Sequence, residues 1–332
     1  MVLRSGRRHF LKSLGIIFAG SALGCTGASQ RDLSFLKYGA KRQFKMKFTP
    51  RLGMGFKSTI GSDMLKRLEF FRDAGFRAVE GVANVSHPGQ YSESQKDYQR
   101  LLGKRAKELG LEVGNVSSMN EKHAALMCEF EIPGKGRKVF SKQGAYEVLD
   151  ERLEKTFGVL ERIGSKTFII GAGVRGERLP FSRQFDNVVE CMAYCAERCR
   201  KKGYVMEIEP LCAKAHPGIF IDNATFAGRI CALVDNPSCR MLFDTFHEHV
   251  QTGSLDSLDD EQVWTHIESF HIADSPDRFE PTTGLIDFPT VLKKIWDRGF
   301  RGFLGLEHLQ SARTRERDMQ ILQIYRELDS LV

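Results

Sequence analysis

Four apolar runs in the C-terminal half of this 332-residue chain lead into side chains that can ligate a metal or carry a proton. Residues 205–208 run into Glu209-Pro210, and residues 241–243 run into Asp244-Thr245-Phe246-His247. The run at 267–272 carries His271 near its end and continues to Asp274 and Arg278, and residues 303–306 run into Glu307-His308. Short apolar stretches bounded by turn residues read as strands, and the loop after a strand presents contacting groups that the strand holds in place. Glu209, Asp244, His271 and Glu307 are thus three carboxylates and one imidazole at strand C-terminal ends. If those strands are parallel neighbours, the four side chains converge on one oxygen-rich site for a divalent metal ion. Carboxylates gathered in one mouth repel one another unless a cation or protons compensate, which favours the same reading. Taken singly, such an acid is more often a helix cap or an ion-pair partner. Glu80 receives that ordinary role, as an anchor for a neighbour. His87, His123, His216 and His249 fall on expected loops of the same face.

The elements that would position these groups follow a repeated grammar of amphipathic run, glycine, then apolar strand. The joints fall at Gly75, Gly110, Gly164, Gly203 and Gly299. Glycine just past a helix is the left-handed cap, the conformation a Cβ disfavours. Strands are expected near residues 52–56, 78–80, 112–116, 167–170, 205–209, 241–244, 269–272 and 303–307. Between them, Leu149, Leu153, Phe157 and Leu160 repeat at helical spacing, Ser92 with Gln95 forms a capping box, and Asp287-Phe288-Pro289 opens a helix. Eight strands alternating with helices close most economically as a (β/α)8 TIM barrel. The open doubly wound sheet is the structural alternative, but no G-x-G-x-x-G follows the first strand. Long connections at 84–91 and 120–144 would overhang the ligand face, the second as a mobile lid.

Outside that body lies a different kind of segment. Arg7-Arg8-His9-Phe10-Leu11-Lys12 precedes a short apolar run at 14–23, too short to span a bilayer. The block resembles a twin-arginine export signal, with Gly6 where Ser or Thr is usual. Ala22-Leu23-Gly24-Cys25 resembles a loose lipobox, so membrane attachment is expected only through a lipid on Cys25. The expected organisation is a signal peptide at 1–25, a basic linker at 26–47 and a catalytic barrel at 48–332, exported to the periplasm. Arg4, Arg7, Arg8 and Lys12 are the only charged residues before Cys25; removing them takes the net charge from +7 to +3. So small a surplus argues against a nucleic-acid partner. Eight cysteines in a chain this long show no disulfide framework, and Cys191, Cys195 and Cys199 read as a buried helix stripe.

Glu209-Pro210, Asp244-x-Phe-His247, the stretch from His271 through Ala273-Asp274 and Arg278 to Glu280-Pro281, and Gly305-Leu-Glu307 together resemble the hydroxypyruvate isomerases. They also resemble the ketose 3-epimerases, within the xylose-isomerase-like TIM-barrel superfamily, over about residues 51–309. The resemblance implies one divalent ion, commonly Mn2+ or Mg2+ with Zn2+ or Co2+ as alternatives, on Glu209, Asp244, His271 and Glu307. It further implies that Glu209 and Glu307 act as an acid–base pair and that His247 and Arg278 hold substrate oxygens. The chemistry suits the residues. Removing a proton next to a carbonyl needs a carboxylate base, and the charge that develops on oxygen needs a cation. His271 stands where hydroxypyruvate isomerases usually have Gln, and a histidine here is the epimerase-like choice. Leu211-Cys212 replaces the usual Ile-Asn.

The reading is therefore a metal-dependent isomerase or epimerase acting on a small sugar or hydroxy-keto acid, with a homo-oligomer compatible. A keto-inositol dehydratase-type lyase would use the same scaffold and metal. An abasic-site endonuclease would need a trinuclear site with further histidines, where this chain has Asp277-Arg278. A non-catalytic sugar-binding lipoprotein would bind without exchanging protons with solvent. Changing Arg7 and Arg8 together to lysine should retain the protein in the cytoplasm, as measured by fractionation; unchanged periplasmic yield excludes the twin-arginine route.

Overall fold

The computed structural model describes residues 42–81, 92–118, 125–132 and 139–332; the expected signal peptide, His87 and His123 lie outside the described residues. The strands are β1 (Lys47–Pro50), β2 (Ala78–Val79), β3 (Glu112–Val113), β4 (Val116–Ser117), β5 (Glu131–Ile132), β6 (Val139–Phe140), β7 (Thr167–Ile170), β8 (Val205–Ile208), β9 (Cys239–Asp244), β10 (Ile267–His271) and β11 (Phe303–Leu306). Seven of them form one sheet in the order β1-β11-β10-β9-β8-β7-β4, and β2 pairs with β3. All of these pairings are parallel.

Backbone bonds carry the ladder across the gap between the two sheets. Leu52 N–H donates to Glu80 C=O at 2.9 Å, Glu80 N–H donates to Pro50 C=O at 3.1 Å, and Gly114 N–H donates to Val79 C=O at 2.8 Å. β3 and β4 are the two ends of the strand expected at 112–116, interrupted at Gly114-Asn115. The ring therefore closes into a TIM barrel, and the open doubly wound alternative is excluded.

The first strand departs from expectation. It occupies Lys47–Pro50 rather than 52–56, and Phe44 and Met46, inside the stretch read as linker, are buried core residues. The stretch 52–56 forms the turn that follows, with Gly55 and Phe56 at positive φ. Arg67 is buried against that turn, donating to the carbonyls of Gly61, Met54 and Gly55.

The helices match their sequence marks more closely. Gly75, Gly110, Gly164, Gly203 and Gly299 all have positive φ, and Gly164 and Gly203 are the caps of the helices Lys142–Ile163 and Phe181–Lys202. Ser92 and Gln95 complete their reciprocal capping box, and the Asp287 side chain accepts from Thr290 N–H. Leu149, Leu153, Phe157 and Leu160 are buried, as are Cys191, Cys195 and Cys199. Burying one such side chain stabilises by roughly 1.5–3 kcal/mol, against about 0–1 kcal/mol for an exposed ion pair such as Lys155–Glu151. Packing, not surface charge, holds the helix layer on the barrel.

The described part of the connection at 120–144 is docked rather than free. The helix Leu126–Glu129 is buried, Glu129 accepts from Arg178 and Leu179 N–H at 2.6 and 2.7 Å, and β5 and β6 form an antiparallel hairpin. Inside the barrel, Glu207 is fully buried among Ser269, Asn115 and Thr167. Ser269 Oγ donates to Glu207, and Asn115 Nδ2 donates to both Ser269 Oγ and Glu207. Burial pushes the Glu207 carboxyl up to about 8, so it is neutral at pH 7. Among the described residues no helix is long and apolar enough to cross a membrane.

Candidate active site

The register of the sheet brings the expected ligands together. His271 lies directly beside Asp244 on β9 and beside Gly305 on β11. Glu209 follows the end of β8 and Glu307 follows the end of β11. Glu209, Asp244, His271 and Glu307 each offer a ligand atom, and these atoms lie within 4.8 Å of one another. From His271 Nδ1, the nearest oxygens of Glu307, Glu209 and Asp244 stand at 2.6, 3.3 and 3.8 Å.

Asp244 does two jobs with two oxygens. Oδ1 accepts from Phe246 N–H at 2.8 Å and His247 N–H at 3.1 Å, capping the helix Thr245–Thr252. Oδ2 faces the cluster, 3.3 Å from Arg278 Nη2. One oxygen thus caps the helix while the other is turned toward the cluster with His271, Glu209 and Glu307.

The other two expected contact residues are also here. Cys212 N–H donates to His247 Nδ1 at 3.2 Å, which leaves the proton on Nε2, 4.0 Å from Asp244 Oδ2. Burial lowers the pKa of His247 despite Asp244 and Glu209, so it is a neutral donor. Arg278 sits in the left-handed region and stacks over Phe246. Its loop is pinned by Asp274, whose carboxylate accepts from Ser275, Gly284 and Ile286 N–H, and by Leu309 N–H donating to Arg278 C=O. His216 packs 5.4 Å from the His247 ring, whereas His249 is engaged with Ser275 Oγ.

Two further residues belong to the site. Glu80, read from the sequence as an anchor for a neighbour, is buried with Oε1 3.5 Å from His271 Nε2, and Arg51 escaped the sequence reading altogether. Arg51 contacts Glu307 Oε1 and stands 3.6 Å from Glu80 Oε1. Arg51 is itself a strand-end residue, immediately after β1, and the displaced placement of that strand concealed it.

The donor set fits a divalent cation. Glu209 Oε1, both His271 ring nitrogens and both Glu80 oxygens are buried without an aligned hydrogen bond, although Glu307 Oε2 is close to Nδ1. Such orphaned groups around one point are costly unless something between them satisfies them. Burial opposes charge on His271, but Glu80 and Glu209 outweigh it and hold its pKa at about 9. Burial likewise opposes charge on Glu209, and His271 together with His247 and Arg278 keeps it below the usual carboxylate range. With a metal bound, Glu80 would take the Nε2 proton as a hydrogen-bond acceptor and leave Nδ1 as the ligand atom, the usual carboxylate support of a metal histidine.

A closed parallel barrel with an acid-and-imidazole cluster at its C-terminal mouth is the arrangement of a barrel enzyme. The chain matches the xylose isomerase-like TIM barrel family over residues 68–325 and belongs to that family. It is 24% identical to the 2-oxo-tetronate isomerase of Pectobacterium atrosepticum over 280 residues, covering 81% of this chain and 94% of that protein. It is 27% identical to the hydroxypyruvate isomerase of Escherichia coli over 143 residues, 42% of this chain and 53% of that one. Among solved structures, the IOLI protein with a bound zinc atom superposes with a TM-score of 0.64 at 16% identity, covering 86% of this chain and 98% of that chain.

Asp244→Ala should release a bound divalent ion and also cost about 1 kcal/mol through the lost cap. Asp244→Asn should keep the cap and still weaken the metal. Elemental analysis beside thermal unfolding checks both, and full occupancy in either variant would remove Asp244 from the ligand set. Gly305 leaves room for this arrangement: a Cβ there would meet Glu80 oxygens at 2.5 and 2.7 Å and His271 Cδ2 at 2.7 Å. Gly305→Ala should therefore destabilise by roughly 1–3 kcal/mol in denaturant unfolding.

Proposed function

We propose that this chain is a metal-dependent isomerase or epimerase of small sugars or hydroxy-keto acids, working by proton transfer at a carbon next to a carbonyl. The observation that carries the reading is the pair Glu209 and Glu307, placed by different strands on either flank of the His271 ligand nitrogen. Its relatives' assignments as isomerases support the same class. A divalent ion held by Glu209, Asp244, His271 and Glu307 supplies charge for the substrate's carbonyl oxygen.

The remaining work falls to the chain. Arg278 and the Nε2–H of His247 orient substrate oxygens. One glutamate takes the carbon-bound proton, and the other returns a proton to the neighbouring carbon or to the opposite face. Glu80 keeps His271 in the tautomer that ligates. Among the described residues the ligand cluster holds a single histidine, which gives no support to the trinuclear endonuclease alternative. The expected export signal would place this activity in the periplasm.

Glu209→Gln and Glu307→Gln conserve volume and remove only charge. Each should lower turnover roughly 100-fold or more, the size expected of a general base or acid. In heavy water, the native enzyme should place deuterium next to the carbonyl. A variant that exchanges the proton without completing the conversion identifies the glutamate that abstracts it. Native rates in both variants, with metal retained, would reduce the pair to a structural role and end the isomerase reading.

A further inference from the structure

Arg51 has no part in the mechanism above, yet it reaches its centre. It leaves the end of β1 bridged across the backbone to Glu80. Its side chain is largely withdrawn from solvent, with Nη1 on Glu307 Oε1. Arg278 takes the other oxygen of the same carboxylate, with Nη2 2.9 Å from Oε2. β1 and β10 flank β11 in the sheet. The guanidinium groups therefore approach Glu307 from the strands on either side of its own.

A count of charge suggests what the second guanidinium is for. Glu80, Glu209, Asp244 and Glu307 bring four negative charges to the mouth. A divalent ion and Arg278 balance three of them when His271 ligates as the neutral ring. A mouth left with one negative charge repels an anion, and Arg51 brings it to neutrality. For a neutral sugar this cation offers little, since hydroxyl groups can be held by His247 and Arg278. For a carboxylate it offers a charge-assisted donor, since the closest contacts of Arg51 to Glu80 and Glu307 run through Nε and Nη1 rather than Nη2.

We propose that Arg51 is a substrate-binding residue that selects a carboxylate-bearing hydroxy-keto substrate over a neutral ketose of the same length. This rests on the isomerase reading for its reaction but not for its binding. The 332-residue chain, loaded with Mn2+, is compared with Arg51→Met and Arg51→Lys, using hydroxypyruvate as the acid and dihydroxyacetone as the neutral ketose. Arg51→Met should raise KM for the acid about 10- to 100-fold, the size of a lost charge-assisted contact. Because Arg51 also pairs with Glu307, its loss should lower kcat on both substrates alike, while the KM for the neutral ketose changes far less than that for the acid and Arg51→Lys recovers part of the KM loss. An equal change in KM on both substrates, or loss of the metal, would make Arg51 a structural partner of Glu80 and Glu307 and overturn the proposal. Calorimetry with glycerate and glycerol separates this outcome from failure of the reaction itself. The native chain should prefer glycerate by at least about tenfold, and the Met variant should lose that preference. Equal binding of the two by the native chain overturns the proposal. If neither substrate turns over but the glycerate preference holds and depends on Arg51, the isomerase reading falls and the carboxylate selection stands.

Discussion

Four carboxylates meet at the mouth of this barrel, and charges of one sign cannot share so small a space without cations among them. Arg51, Arg278 and the raised pKa of His271 are the chain's own response. Each stands within ion-pair distance of at least two of the acids. The same crowding makes the site receptive to a divalent ion, because an ion on the ligand atoms frees His271 to become neutral. Removing any one acid or cation shifts the charge felt by all the others. The groups therefore act as a unit.

Holding like charges together requires a frame that does not yield. The frame here is the parallel barrel, whose register sets His271 beside Asp244 and beside Gly305 with backbone hydrogen bonds on both sides. Gly305 is part of that frame, since a side chain at this point would occupy the space of Glu80 and His271. The loop that carries Arg278 is equally constrained. Asp274 gathers three of its backbone N–H groups, and Glu280 fastens it to Ser311 and Arg317 near the C-terminal helix. The buried carboxylates thus fall into two kinds, told apart by whether their oxygens are already bonded. Asp274 and Glu280 are bonded to backbone and side-chain donors. Glu209 Oε1 and the Glu80 oxygens are not.

Below the mouth, Glu207 shows the opposite solution to burial. Its neighbours Ser269 and Asn115 are neutral donors, no fixed cation among the described residues bonds it, and it holds its proton instead. Glu207 and Glu209 are two residues apart on one strand and experience opposite shifts. The difference is made by partners: Glu209 has His271 and Arg278 within reach, and Glu207 has none that outweigh desolvation.

The eightfold alternation of strand and helix was legible in the chain because it rests on local physics. Glycines that tolerate positive φ, caps that satisfy terminal N–H groups and apolar repeats at helical spacing are properties of neighbours in sequence, and they recur in the structure. Glu209, Asp244, His271 and Glu307 were legible for the same reason, each standing directly at the end of an apolar run. Arg51 was not, and neither was the neighbour that Glu80 anchors. The strand before Arg51 is short and ends in Pro50, so the apolar pattern pointed beyond it to residues that fold as a turn. The partnership of Glu80 with His271 spans 191 positions in sequence and depends on barrel closure between β1 and β2. Which acids remain ionised, which nitrogen of His271 faces the ligands, and which arginines meet Glu307 depend on distances across the barrel. Such distances exist only once the strands have paired, so the tertiary structure alone decided them.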